Sequence, residues 1–332
     1  MQKRKLGNSN REVSAVGLGC MGMSPGVYGK ADRQESIATL HAAMEQGVTL
    51  LDTGDFYGSG HNELLIREAL RGKNREQAFI AVKFGVLLDP GSGWGGFDGR
   101  PASLKNFLAM TLKRLDMDYI DLYQPARLDP DVPIEETVGA IGEMVQAGYV
   151  RHIGLSEVGV NTIRRAHAAH PISWLQIEYS LFSRGIEKEI LPALRELGIS
   201  LSAYGALSRG LLSGAWTKER SENKFDGRNF GPRFQGENLE HNLQLVEKLR
   251  SLAERYGTSV AQLAIAWVLG QGEDVIPVIG ARKQTQLRDM LGAAEIEFTA
   301  EDLKTIGELF NPEDVAGGRY DKHQLALLDS EK

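Results

Sequence analysis

The 332-residue sequence contains one cysteine, Cys20. A single thiol cannot close an internal disulfide, and it cannot supply the ligands of a zinc cluster or an iron–sulfur centre. A reducing, cytoplasmic setting is therefore expected. Aromatic residues make up only 7% of the chain, and no stretch approaches the roughly 20 apolar residues of a membrane-spanning helix. The basic start, Lys3-Arg4-Lys5, runs into polar Gly7 to Asn10 instead of an apolar segment, so no secretory leader is expected. Excess positive charge is also missing: 38 Lys and Arg stand against 44 Asp and Glu, a net charge of −6. That balance argues against a protein held to nucleic acid by phosphate contacts. The expected partner is a small molecule, not nucleic acid or membrane, and the sequence leaves the oligomeric state open. Any anionic ligand must be held locally, by a few basic groups or backbone amides.

What the sequence has in quantity is glycine, 38 residues, and a repeating alternation of short apolar runs with amphipathic segments. Val16–Gly19, Val48–Asp52, Phe79–Lys83, Tyr119–Tyr123, Val150–Leu155, Trp174–Ile177, Ser200–Tyr204 and Val275–Ile279 read as strands buried on both faces, as in a parallel sheet. Helices are predicted between them. Asp32 caps one that carries Ile37, Leu40 and Met44 and ends at Gly47; Asn62 and Ser103 are read as caps of the next two. Others are expected over Ile134–Val145, near His167, and over Ile186–Leu197, Leu239–Tyr256 and Gln284–Gly292. Strand–helix units repeated without a composition break predict an α/β fold, a (β/α)8 TIM barrel forming one domain over residues 1–332; a doubly wound open sheet is the alternative. Lys5-Leu6 and Val13-Ser14 flank Gly7 to Glu12 like a small β-hairpin ahead of the barrel. Two long polar, Gly-rich segments, 85–100 and 214–237, follow predicted strands and so belong to the C-terminal face, where long loops serve as lids.

Gly17-Leu-Gly19-Cys-Met-Gly22 matches the G-x-G-x-x-G pattern of a dinucleotide fold. That fold needs a helix to open at once on the pyrophosphate, whereas Pro25, Gly26 and Gly29 follow here. The segment is better read as a glycine loop that lets backbone approach a ligand. Asp52 and Lys83 end neighbouring predicted strands, and Tyr57 follows in Asp52-Thr-Gly-Asp-Phe-Tyr-Gly58. Polar groups at the C-terminal ends of barrel strands are where barrel enzymes do chemistry. A buried lysine beside a phenol favours phenolate, which lowers the phenol pKa and makes Tyr57 a usable proton donor. The competing reading is a rim ion pair with a stacked tyrosine.

With these residues in view, the sequence resembles the aldo-keto reductase superfamily over nearly its whole length. Leu6-Gly7, Val16 to Gly22, Leu51 to Gly58, Gly154-Leu-Ser156, Gln176, Tyr204 and Pro277 to Arg282 occur in the family's order. The resemblance implies an NADP-dependent oxidoreductase (NADPH as hydride source) that reduces an aldehyde or ketone, with Tyr57 as general acid, tuned by Lys83 and Asp52. It implies cofactor contacts at Gly22, Met23, Asp52, Ser156, Gln176, Tyr204, Leu207, Ser208, Gly210, Gly280, Arg282, Gln286 and Asp289. Of these, Ser156 and Gln176 would meet the nicotinamide carboxamide and Tyr204 its ring, backbone amides of 207–210 the pyrophosphate, and Arg282 the 2′-phosphate.

Two departures stand out. Met290 occupies a position where the family usually has Asn near the adenine. In Asp121-Leu-Tyr-Gln-Pro-Ala-Arg-Leu128, Ala126 replaces a family histidine that hydrogen-bonds the substrate oxygen. The Ala-Arg pair resembles the pyridoxal-reductase-like branch, so pyridoxal reduction is an alternative activity; an NADPH-binding regulatory subunit with little turnover is another. The gap at Ala126 would favour bulky ring carbonyls. Substrate contacts are expected from Tyr57, Gln124, Ala126 and the loop aromatics Trp94 and Phe97. Lys218, Arg228 and Arg233 are candidates for the cofactor phosphates, and Gly318-Arg-Tyr320 for a closing segment. No metal is expected.

Overall fold

The computed structural model describes residues 1–332 except Val27, Ser92, residues 222–225 and the side chain of Ser221. Its strands are β1 (Lys3–Lys5), β2 (Glu12–Ser14), β3 (Gly17–Gly19), β4 (Leu50–Gly54), β5 (Phe79–Phe84), β6 (Val86–Leu87), β7 (Gly96–Phe97), β8 (Ile120–Pro125), β9 (Val150–Ser156), β10 (Trp174–Glu178), β11 (Ser200–Tyr204) and β12 (Val275–Ile279). Eight of them close a parallel barrel in the order β3-β4-β5-β8-β9-β10-β11-β12. The eight predicted strands are these eight, and the closed (β/α)8 architecture is the one expected.

The helices are α1 (Arg33–Glu45), α2 (His61–Leu70), α3 (Pro101–Leu115), α4 (Ile134–Gln146), α5 (Val160–Ala169), α6 (Ile190–Leu197), α7 (Lys218–Ser221), α8 (Gly236–Arg255), α9 (Val260–Leu269), α10 (Gln284–Leu291), α11 (Ala300–Leu309) and α12 (Lys322–Ala326). None of the described helices is long and apolar enough to cross a membrane. Two apolar clusters result. One fills the barrel itself, with Leu50, Phe79, Ala81, Leu122, Trp174, Ile276 and Val278. The other lies between the sheet and its ring of helices. The antiparallel pair β1–β2 plugs the N-terminal end, where Leu6 and Val13 join the inner cluster.

Several boundaries differ from expectation, each for a local reason. Asn62 does not cap α2: Gly60, with φ +90°, precedes the helix, and Asn62 is enclosed. Ser103 falls in the first turn of α3, because Pro101 takes the first helical position after Arg100, where its missing N–H costs nothing. The predicted helix over 186–197 is a 3-10 turn, Gly185–Glu187, followed by α6. Segment 85–100 is not open loop but folds as the β6–β7 hairpin. Segment 214–237 carries α7 and 3-10 turns at Gly227–Phe230 and Pro232–Phe234. Helix α9 was missed because it is buried on every side, which leaves no amphipathic period to read; the Ser259–Gln262 capping box at its start is the signal that could have found it.

Asn62 is the joint between the first two barrel units. It accepts the Thr53 hydroxyl at 2.7 Å and donates to the Cys20 carbonyl and to Ser24 Oγ, both at 2.8 Å. Asn62→Ala leaves three enclosed polar groups with a lost partner. At about 1–3 kcal/mol for each such group, the substitution is expected to lower stability on the order of 3 kcal/mol, read by chemical denaturation. A loss below about 1 kcal/mol would mean that solvent or a shift of α2 replaces the side chain.

Candidate active site

Parallel strands deliver their C-terminal residues to one end of the barrel, and register decides which meet. Gly54 pairs with Lys83 and Asp52 with Ala81, so the carboxylate of Asp52 lies within reach of the Lys83 ammonium. Lys83 Nζ is 2.6 Å from Asp52 Oδ1, and both side chains are 6% exposed. Gln176, on β10, donates from Nε2 to Asp52 Oδ2 at 2.8 Å and to Ser202 Oγ at 3.2 Å. Asp52 is thus bound on both oxygens, as a buried carboxylate must be.

Tyr57 hangs over this pair from the turn after β4. Its N–H donates to the Gly54 carbonyl at 3.0 Å, and Asn62 N–H donates to the Tyr57 carbonyl at 3.2 Å. Gly58, Ser59 and Gly60 then run at φ +57°, +54° and +90°. Glycine takes such angles freely; Ser59 carries the strain, about 1–2 kcal/mol. Lys83 Nζ lies 5.3 Å from the Tyr57 ring centroid, and Phe56 packs edge-on at 4.8 Å. The expected lowering of the Tyr57 pKa by Lys83 is not what this environment produces. Burial, then the charge of Asp52, hold the phenol well above its ordinary value, and Arg127 is the cation that opposes them. Lys83 spends its charge on Asp52, and what reaches the phenol from this pair is the charge of the carboxylate.

Ser156 and Tyr204 end β9 and β11 beside Gln176. The Tyr204 hydroxyl donates to Glu157 Oε1 at 2.6 Å and meets the Tyr320 hydroxyl at 3.0 Å. Sequence reasoning passed over Glu157, although it directly follows Ser156. It is fully buried at φ +54°, and Arg319 donates to its two oxygens at 2.8 and 2.6 Å. Despite burial, which raises a carboxyl pKa, Arg319, Arg127 and Tyr204 bring that of Glu157 down to about 2. Glu178, at the end of β10, accepts from Ser183 Oγ at 2.7 Å and lies 3.6 Å from Arg233 and 3.7 Å from Arg319. Carboxylates just past predicted strand ends were the signal: Glu178 directly follows Ile177, and Glu157 lies two residues beyond Leu155.

The phosphate contacts expected from sequence are rearranged. Ser208, Arg209 and Gly210 run at φ +46°, +56° and +107°, but the N–H groups of Ser208 and Gly210 already donate to the Gly205 and Leu207 carbonyls. Arg228 is held by Asp226, and Arg233 by Phe182, Ser183 and Gly317; Lys218 is 2.6 Å from Glu240. These loop cations are framework. Arg282 donates to the carbonyls of Tyr28 and Lys30 and packs on Gly22, where a Cβ would lie 3.2 Å from its side chain. Glu35 Oε1 accepts the Gln284 N–H at 2.9 Å, so an internal carboxylate, not an open amide, stands at the start of α10. Arg282, Lys283, Lys30, Asp32, Glu35 and Gln286 line a cavity of about 550 Å³, next to exposed Gly280. Gln286 accepts the Arg282 N–H at 3.1 Å. Asp289 is turned toward Ser259, whose hydroxyl it accepts at 2.9 Å, and Met290 is buried in the core. Met23 is enclosed, which leaves only its backbone for a ligand.

Two substrate expectations change. Gln124 is 0% exposed, and its Oε1 accepts the Trp174 indole N–H at 2.9 Å, so it belongs to the barrel filling. Ala126 is 2% exposed and opens no gap. Trp94, 46% exposed, packs edge-on to Phe97 at 4.9 Å across the β6–β7 hairpin at the barrel mouth.

Asp55, two residues before Tyr57, has its carboxyl raised to about 7 by burial and then by Glu63, with Arg114 opposing. Arg114 is ion-paired to Glu63 and fills the space beside Gly60. The folded chain keeps this proton to about pH 7, whereas an unfolded aspartate releases it near about pH 4. Its contribution to stability is therefore full below about pH 4 and lost as pH rises through about 7. Asp55→Asn, neutral throughout, is expected to raise Tm over the native chain at about pH 8 and not at about pH 4, by on the order of a few °C. Equal Tm differences at the two pH values would contradict the raised carboxyl.

The comparisons with known proteins agree with this geometry. Residues 15–311 match the model of the Aldo/keto reductase family. The chain is 43% identical over 320 residues to "Probable aldo-keto reductase 1" of Glycine max, covering 96% of this chain and 92% of that protein. Among solved structures it is similar to the glycerol dehydrogenase AKR11B4 of Gluconobacter oxydans, with TM-score 0.84, 32% identity and coverage of 93% and 96%. It is also similar to the holo form of the aldo-keto reductase AKR11C1 of Bacillus halodurans, with TM-score 0.79, 29% identity and coverage of 98% and 99%. The chain belongs to the aldo/keto reductase family and is an oxidoreductase acting on carbonyl groups.

Proposed function

We propose that the protein is an NADPH-dependent carbonyl reductase of the cytoplasm, that residues 1–332 act as one catalytic domain, and that Tyr57 gives the proton. The observation that carries this is the buried Lys83–Asp52–Gln176 chain lying against Tyr57 at the barrel mouth. Burial keeps Tyr57 in its protonated form, so it meets the substrate as a donor. Its O–H donates to the carbonyl oxygen and then transfers the proton. The phenolate left behind lies within the field of Arg127, the cation that favours it.

The bound nicotinamide supplies the hydride. Gln176 has given its amide hydrogens to Asp52 and Ser202, so its Oε1 is the atom left to accept from a carboxamide, with the Ser156 hydroxyl beside it. Tyr204 presents its ring to the nicotinamide, and Glu157 and Tyr320 hold its hydroxyl so that the ring keeps one orientation. The donor set around the cavity at Arg282, Lys283 and Lys30 fits an anionic phosphate, which supports NADP. Since Glu35 occupies the start of α10, the side-chain cations carry that contact. The glycerol dehydrogenase activity named for the Gluconobacter oxydans relative supports the same hydride chemistry, run in the alcohol-to-carbonyl direction.

Tyr57→Phe removes only a hydroxyl. NADPH binding, followed by its fluorescence, is expected to persist while turnover falls about 10²-fold or more, as for loss of a positioned general acid. Near-native turnover would remove Tyr57 from the mechanism. Arg282→Ala is expected to raise the KM for NADPH about 10- to 100-fold more than that for NADH, the loss of one charge-assisted contact. Equal losses for the two cofactors would make Arg282 only the strap that holds Tyr28 and Lys30.

A further inference from the structure

The arginines around the barrel mouth differ in how completely they are engaged. Arg228 is gripped by Asp226 and also donates to the Arg209 carbonyl. Arg233 donates to the hydroxyls of Ser183 at 2.9 Å and Ser208 at 3.3 Å and to backbone carbonyls, and faces Glu178. Arg319 is shared by Glu157, Ser330 and Glu331. Arg209 makes no side-chain hydrogen bond or ion pair among the described residues, but its guanidinium lies 4.2 Å over the Tyr320 ring, on a strained segment. Arg127 likewise has no ion pair, and unlike Arg209 it lies over no aromatic ring among the described residues. It follows Ala126 just beyond β8 and is half-buried. Among the described residues its one hydrogen bond runs from Nη1 to the Ala126 carbonyl at 2.6 Å, and it forms none of the ion pairs found among them.

A guanidinium has five N–H donors, so most of those of Arg127 have no protein partner. It lies two residues beyond the end of β8, where Pro125 pairs with Phe84 next to Lys83, and so stands at the C-terminal mouth of the barrel with Tyr57 and Tyr204. Its charge favours the ionised forms of both phenols. Glu157, the carboxylate in its vicinity, is already committed to Arg319. A half-buried cation without a counter-ion is costly, and the cost is removed by a ligand that brings the anion with it.

We propose that Arg127 binds a carboxylate carried by the substrate, so that the enzyme prefers carbonyl compounds bearing an acidic group close to the reacting carbon. The planar guanidinium fork matches a carboxylate, and the Ala126 carbonyl steadies that fork. The carboxylate is unchanged by the reaction: the carbonyl carbon gains the hydride, the oxygen gains the Tyr57 proton, and the product is the hydroxy acid. Trp94 and Phe97 stand at the same mouth and are able to cover a ring on the substrate. This inference rests on the carbonyl-reductase assignment above and deepens it.

The test measures kcat/KM with NADPH for the ortho, meta and para carboxybenzaldehydes and their methyl esters. The native enzyme is expected to prefer at least one acid over its ester by about 10-fold or more, the worth of one charge-assisted contact, and added salt is expected to erode that preference. In Arg127→Met the acid-to-ester ratio is expected to fall to about one, mainly through the KM of the acid, and Arg127→Lys to recover part of it. The salt series on the native enzyme keeps the test valid if Arg127→Met does not fold. Acid-to-ester ratios at or below one for every isomer, or a ratio that Arg127→Met leaves unchanged, would overturn the carboxylate site while leaving the reductase assignment standing. Failure of the native enzyme to reduce any of these aldehydes with NADPH or NADH would overturn both.

Discussion

The buried pair of Asp52 and Lys83 is the constraint on which the rest of the site is built. Two charges this deep are tolerated only when their geometry is tight and their remaining valences are filled. The parallel register of β4 and β5 supplies the first condition, and Gln176, reaching across the barrel from β10, the second. Removing one partner of such a pair typically costs about 3–5 kcal/mol, so barrel closure and site chemistry are coupled. A slip of one residue between β4 and β5 would send Lys83 to the opposite face of its strand and strand Asp52 without a cation. Burial first, and then the charge of Asp52, keep Tyr57 protonated, and a lysine engaged by that carboxylate does not pull on the phenol as a free one would.

A second network does for the cofactor platform what the first does for the acid. Glu157 sits at a backbone angle that L-residues rarely adopt, and its carboxylate is closed off by Arg319, Ser330 and the Tyr204 hydroxyl. The strain there is offset by hydrogen bonds to a charged group, which run at about 1.5–3 kcal/mol each. Because Arg319 also meets Glu331, the C-terminal tail is tied to the Tyr204 ring proposed to face the cofactor. Tail docking and Tyr204 orientation are then one structural event, and a change in either is felt by the other.

The barrel strands and the clustering of Asp52, Lys83 and Tyr57 were legible because both depend on local rules: apolar runs of strand length, and polar residues at their C-terminal ends. What escaped reading depends on partners far away in sequence. Nothing around Gln124 shows that Trp174 takes its oxygen, so a barrel-filling amide looked like a substrate contact. Asp289 looked free to meet an adenine, yet Ser259 holds it. The start of α10 looked like an open anion site until Glu35, far upstream on α1, is brought to it. Helix α9 shows the other kind of failure, since complete burial erases the period by which a helix is recognised. The arginines divide in the same way: sequence marks Arg228 and Arg233 as free loop cations, and only folding shows them held as framework while Arg127, beyond β8, keeps donors to spare.

This division has a consequence for how the fold separates reaction from selectivity. The acid, its ion pair and the amide acceptor stand on or beside β4, β5 and β10, elements fixed by the packing of the barrel itself. The groups around the expected substrate position, Arg127, Trp94 and Phe97, come from the segments after β5 and β8, which rest on the barrel without holding it together. Changes at these positions leave the Asp52–Lys83 register untouched, so they alter what is reduced before they alter whether reduction occurs. The absence of an imidazole at Ala126 belongs to that tolerant layer: in the proposed mechanism the proton still comes from Tyr57, and what shifts is the charge offered to the proposed substrate.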